Sequence, residues 1–186
     1  MYKRQDDTVL ETGVRSFFKM RLIFNTLFFN PFRRKPIQDA SNAFHHLIKD
    51  DPTGPVIYLS NSPWNLYEYL RTFLEHNKFP KGIICLRDMG VQLMKSRPIE
   101  DYNKYIEIEK MLLIFEKTNF ILIGDSGEKD FDIYKAIAIE HPSRISDIII
   151  NSIGNRKKEA EIQEVINDQS LACNVRLVKG YGALER

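Results

Sequence analysis

Charge imbalance is nearly absent from this chain: of 186 residues, 27 are Lys or Arg and 25 are Asp or Glu, giving a formal net charge of +2. That excess is too small to imply a nucleic-acid binder, and no basic motif interleaved with aromatics is visible. Cysteine is scarce. Cys85 and Cys173 lie far apart without metal-ligand spacing, so reduced, buried thiols are expected. Long apolar runs are also missing, because Lys19, Arg21 and Asn25 interrupt the N-terminal hydrophobics. With no transmembrane-length stretch and no visible signal peptide, a cytoplasmic protein is expected. What remains, 43% hydrophobic and 28% charged residues, suits one soluble core.

Short apolar runs bounded by turn residues recur along the chain, at Val56 to Leu59, Ile83 to Leu86, Phe120 to Ile123, Ile145 to Ile150 and Val175 to Val178. Helical spacing lies between them: Leu66, Leu70, Phe73 and Leu74; Ile108, Met111, Leu112 and Phe115; Ile133, Tyr134, Ile137 and Ala138; and a charged stretch from Arg156 to Asp168. This alternation predicts a parallel sheet covered on both faces. Upstream, Val14 to Phe32 holds six of the 12 Phe residues at spacing that predicts an amphipathic helix. Residues 1–50 carry nine Lys or Arg against five Asp or Glu. A helix covering the sheet and a membrane contact through Phe17 to Lys35 both fit that pattern. Pro36 to Asp50 reads as a further short helix, on which the adjacent His45 and His46 point to different faces.

The chemistry concentrates at Phe120 to Asp130, FILIGDSGEKD. A buried parallel strand opening into a Gly-Asp loop is where α/β sheets bind ligands. Carboxylates at such a mouth, Asp125 and Asp130, hold a hard cation such as Mg²⁺ or face water. Ser126, Glu128 and Asp130 equally suit a helix start. Ser60 ends the strand at Val56 to Leu59, ahead of a helix start at Ser62 and Pro63, where a phosphate oxygen would fit. Lys104 opens a helix, a position unfavourable for a cation unless it neutralises something.

Taken together, DDTVLETGV, YLSNSPWNLYEYL, FPKGIICLRDMG, NKYIEIEKML and FILIGDSGEKDFDIY resemble the phosphatidate phosphatase catalytic domain of the actin-patch-protein type, a branch of the haloacid dehalogenase superfamily. The likeness runs over roughly residues 6–150. It implies a Rossmann-like, doubly wound parallel sheet, Mg²⁺, and an aspartyl-phosphate intermediate in hydrolysis of a phosphate monoester such as phosphatidate. On its motifs Asp6 matches the general acid, with a backbone carbonyl for the metal. Ser60 matches the phosphate-binding hydroxyl and Lys104 the lysine that pairs with nucleophile and phosphoryl oxygens. Asp125 and Asp130 match the principal and supporting metal carboxylates.

Two positions depart from the motifs. The nucleophilic aspartate falls on Arg4, a cation that cannot attack phosphorus, and the strand that should precede it is degraded or missing. Met1 to Gln5 reads like a translated transposase adapter, so residues 1–5 are expected to be a non-native leader and 6–186 one catalytic domain. Asn151 stands where the family commonly has arginine. A phosphatase for a soluble ester and an inactive phosphate-binding module are the competing expectations.

Overall fold

A computed structural model describes residues 14–19, 34–49, 54–87, 98–99, 102–127 and 129–185. Arg4, Asp6 and the rest of residues 1–13 lie outside the described residues.

Six strands form one parallel sheet: β1 (Val14–Lys19), β2 (Val56–Pro63), β3 (Gly82–Arg87), β4 (Asn119–Asp125), β5 (Ile145–Asn151) and β6 (Asn174–Val178). Their spatial order is β3-β2-β1-β4-β5-β6, with every pair parallel. That is the strand order of a Rossmann-like doubly wound sheet.

Parallel crossovers are right-handed, so a sheet growing first one way and then the other places its helices on opposite faces. The chain follows this rule. Helices α1 (Arg34–Leu47) and α2 (Tyr67–His76) join β1 to β2 and β2 to β3. They share one core layer with Tyr58, Ile121 and Ile149. Helices α3 (Asn103–Ile114), α4 (Asp130–Glu140) and α5 (Arg156–Asp168) make the later crossovers. They pack on Ile57, Leu122, Ile148 and Ile150 across the sheet.

Neighbouring residues of one strand thus enter different layers, which is why the central strands read as unbroken apolar runs rather than alternating ones. Each fully buried Ile or Leu contributes about 1.5–3 kcal/mol before conformational entropy is counted. The direction of winding reverses between β1 and β4, and ligands of such sheets bind at the carboxyl edge of this switch point.

Two sequence expectations are corrected. The predicted helix from Val14 begins instead as β1, whose Phe17 pairs with Ile57 on one side and Leu122 on the other. A short run of β-branched and aromatic residues does not distinguish strand from helix by its period. The slot between two strands, with ladder partners on both edges, decides the matter. Residues 20–33 of that predicted helix lie outside the described residues. A membrane-binding helix through Phe17 to Lys35 is therefore not available over Phe17 to Lys19, and from Arg34 the chain is already in α1.

The second correction concerns Ser62 and Pro63, which continue β2 across an irregularity after Leu59. A 3₁₀ turn, Trp64–Leu66, then leads into α2, and no side chain caps it. Beyond Gly180 the chain forms a 3₁₀ helix, Tyr181–Glu185, against α1.

Candidate active site

Asp125 is the last residue of β4 and pairs in register with Asn151, the last of β5. The loop that follows folds back: the Asp125 carboxylate accepts the Gly127 amide at 2.8 Å. Asp130 then opens α4 and is buried directly behind this loop. Its Oδ2 faces the Asp125 backbone N–H at 3.4 Å, and its Oδ1 lies 2.5 Å from the Lys104 ammonium. Gly124 makes this approach feasible, since a methyl group there would stand 2.7 Å from Asp130 Oδ2.

Lys104 sits in the first turn of α3 and is buried, unusual for a residue whose charge must then be compensated. Asp130 supplies that compensation. The sheet thus brings Lys104, Asp125 and Asp130 into one cluster at the carboxyl edge.

Ser60 belongs to the same edge. It follows Leu59, which pairs with Lys19 of β1, so β1 separates Ser60 from Asp125 and the two strands stand ~10 Å apart. The Ser60 hydroxyl donates to Ser62 Oγ at 2.9 Å and accepts the Ser62 amide at 3.1 Å. Asp6 lies outside the described residues and has no position in this geometry.

Several groups at this edge were not singled out from sequence. Glu159 of α5 accepts from Ser152 Oγ at 2.7 Å, Gly154 N at 3.0 Å and Ser126 Oγ at 3.1 Å, tying the β4 and β5 loops together. These bonds, the Ser152 hydroxyl foremost, hold its carboxyl below the ordinary carboxylate range. Asn151, noted as a departure, is buried and accepts the Gly180 amide at 2.9 Å, anchoring the final turn. Gly180 has φ +83°, which a side chain would strain.

The final turn seats Tyr181, a buried phenol whose pKa is raised by burial first and then by Asp125 and Asp130. Tyr134 is raised for the same reasons and donates to the Ile123 carbonyl at 3.0 Å. A phenol that stays protonated beside two carboxylates lines the site without adding charge. Polar residues serving as anchors carry no sequence pattern, so only the fold reveals these partners.

Among the described residues, Glu109, Glu140 and His141 form a group, apart from the cluster at Asp125, with atoms spaced to hold a cation. The group lies where α4 ends, toward the amino edge of the strands. Tyr105 Oη donates to Glu140 at 2.6 Å, and His141 Nε2 lies 2.8 Å from Glu109. No helix among the described residues is long and apolar enough to cross a membrane.

Comparison with known proteins agrees with this geometry. The phosphatidate phosphatase APP1 catalytic-domain family matches residues 5–152. Phosphatidate phosphatase APP1 of Saccharomyces cerevisiae is 30% identical over 166 residues, 88% of this chain and 28% of the yeast protein. An uncharacterised protein of Schizosaccharomyces pombe is 29% identical over 149 residues, 80% of this chain and 24% of its own length. The chain thus spans about a quarter of the curated relatives it matches. No solved structure matches. The family match covers the sheet from β1 to the end of β5, including Ser60, Lys104, Asp125 and Asp130, and the chain belongs to the phosphatidate phosphatase APP1 catalytic-domain family.

Proposed function

We propose that the chain is a Mg²⁺-dependent phosphatase domain of the haloacid dehalogenase type whose substrate is phosphatidate, released as diacylglycerol and phosphate. The observation that carries this reading is the meeting of Asp125, Asp130 and Lys104 at the sheet edge that also carries Ser60, inside the stretch matched by the family.

In this reading the Ser60 hydroxyl receives a phosphoryl oxygen. The Lys104 ammonium, held by Asp130, neutralises phosphoryl charge. Asp6 protonates the leaving alkoxide and afterwards activates water. The donors fit the metal: Asp125 offers hard carboxylate oxygen at the strand end, as Mg²⁺ requires, whereas the Glu109, Glu140 and His141 group includes an imidazole. Asp125 would hold the ion, with Asp130 supporting Asp125 from behind; the family resemblance alone adds the Asp6 carbonyl as a further ligand. Mg²⁺ there supplies charge neutralisation at the phosphoryl group.

Arg4 occupies the motif's nucleophile position, so this chain as it stands is expected not to turn over. Phosphate release from phosphatidate vesicles and from soluble esters, with Mg²⁺ and with chelator, tests the reading. The panel compares this chain with a version carrying Arg4→Asp behind an apolar strand. Chelator-sensitive release from phosphatidate by the restored version is expected. Release from soluble esters alone transfers the reading to a different leaving group. Absence of release from any ester leaves a phosphate-binding module. In the restored chain Asp125→Ala abolishes activity, and full activity of that variant removes Asp125 from the metal site.

A further inference from the structure

The carboxyl edge of the sheet carries more than the candidate site. Trp64, the chain's single tryptophan, follows β2 four residues beyond Ser60 and is 55% exposed. It is held by stacking on Tyr67, with ring centroids 5.8 Å apart. On the far side of the site Ile153 follows β5, 49% exposed, its side chain lying over Gly127. An exposed indole and an exposed isoleucine thus follow β2 and β5 at this edge.

Cations occupy the same edge. Lys129, with a side chain 60% exposed, precedes α4; Arg156 and Lys157 begin α5; Lys179 follows β6. Among the described residues, the acids near these cations are engaged within the protein. Asp132 pairs with Lys158 and Lys129, Glu161 with Lys158, Glu68 with Arg71, and Glu159 is taken up by hydroxyls and an amide.

We infer that this edge docks on an anionic lipid bilayer, with Trp64 and Ile153 entering the headgroup boundary and Arg156, Lys157 and Lys179 contacting lipid phosphates. Tryptophan favours that boundary because its ring is apolar and its N–H polar. Lysines and arginines are drawn to an anionic leaflet within a Debye length. The orientation turns the edge that carries Ser60 and Asp125 toward the membrane, where lipid phosphates lie. This use of the surface rests on the phosphatase reading; the docking itself does not require turnover.

The exposed apolar residues at the ends of α3 and α4 do not share these properties. Leu113 (73% exposed), Ile114 and Ile139 lie at the ends of α3 and α4, toward the amino edge. That patch has Glu109, Glu116 and Glu140 among its neighbours in sequence and faces away from the candidate site.

The single tryptophan makes the test direct. The whole chain is mixed with phosphatidylcholine vesicles, or with vesicles that also contain phosphatidylserine, and Trp64 emission and cosedimentation are measured. A blue shift, quenching by lipids brominated in the upper acyl chain, and release by high salt are expected with the anionic vesicles alone. Arg156→Glu with Lys157→Glu weakens sedimentation by on the order of tenfold or more, and Lys179→Glu lowers it in the same direction. Leu113→Ser leaves it unchanged.

Failure to bind anionic vesicles overturns the proposal. So does binding without any change in Trp64 emission, which points to another surface, or loss of binding in Leu113→Ser with its circular dichroism intact. Because neither readout involves phosphate release, docking by this chain with no hydrolysis by its restored Arg4→Asp version refutes only the phosphatase reading, and phosphate release by the restored version without docking refutes only this one.

Discussion

Lys104 Nζ lies 2.5 Å from Asp130 Oδ1, with both side chains buried. The two residues belong to different crossovers, so this pair fixes α3 to α4 over the end of β4. Substituting Lys104 by Met leaves a buried carboxylate without that ammonium, at a cost of about 3–5 kcal/mol. Urea denaturation should show the loss, and the double variant Lys104→Met, Asp130→Leu should recover most of it. A Lys104→Met variant as stable as the parent would show that the pair contributes nothing.

Gly124→Ala tests how tightly the site is built. The added methyl would meet Asp130 Oδ2 at 2.7 Å, Asp130 Cβ at 2.8 Å and Tyr134 Cε2 at 3.0 Å. None of these is the loose end of an exposed side chain. Overpacking of this kind costs about 1–3 kcal/mol, and the restored enzyme carrying it should lose activity because Asp130 is displaced from Lys104. Unchanged thermal unfolding together with unchanged activity would contradict the packing described.

Glu159 predicts an acid-sensitive loop. Its folded pKa is lowered from 4.5, chiefly by the Ser152 hydroxyl. A lowered carboxylate stabilises fully above its unfolded value and loses that contribution as pH falls through the folded value. Amide exchange at Gly154, corrected for the intrinsic pH dependence, should therefore accelerate as pH drops below 4.5. Glu159→Gln should show fast exchange across the whole range. Exchange insensitive to pH and to this substitution would dissociate Glu159 from the loop.

Tyr58→Phe examines the opposite end of the core. The Tyr58 hydroxyl donates to the Pro80 carbonyl at 2.6 Å in a buried setting, which also raises its pKa. Removing it leaves that carbonyl without this donor, a loss of about 1–3 kcal/mol. A smaller denaturation midpoint with an unchanged slope is the expected signature.

The unbroken apolar runs of β2, β4 and β5 and the helical stripes between them were legible because a strand buried on both faces has few other compositions available. Asp125 and Asp130 stood out in the sequence because charge is costly at the end of a core strand, Lys104 because a cation opens its helix against the dipole, and Ser60 because it ends a strand. Trp64, by contrast, was readable only as a residue of a helix start. Its exposure beside the site follows from the continuation of β2 through Pro63, which moves the turn outward.

Residue order by itself determined that this is a parallel α/β chain with acids, a hydroxyl and a lysine at strand ends and helix starts, since burial pattern and turn chemistry are local properties. Tertiary structure decided what those properties cannot specify. It gave Val14–Lys19 to the sheet's centre, because backbone partners on two sides outweigh a helical arrangement of phenylalanines. It also joined Lys104 to Asp130, and Asn151 to Gly180, across 26 and 29 positions of sequence, because only closure of the crossovers brings such distant groups within reach of one another.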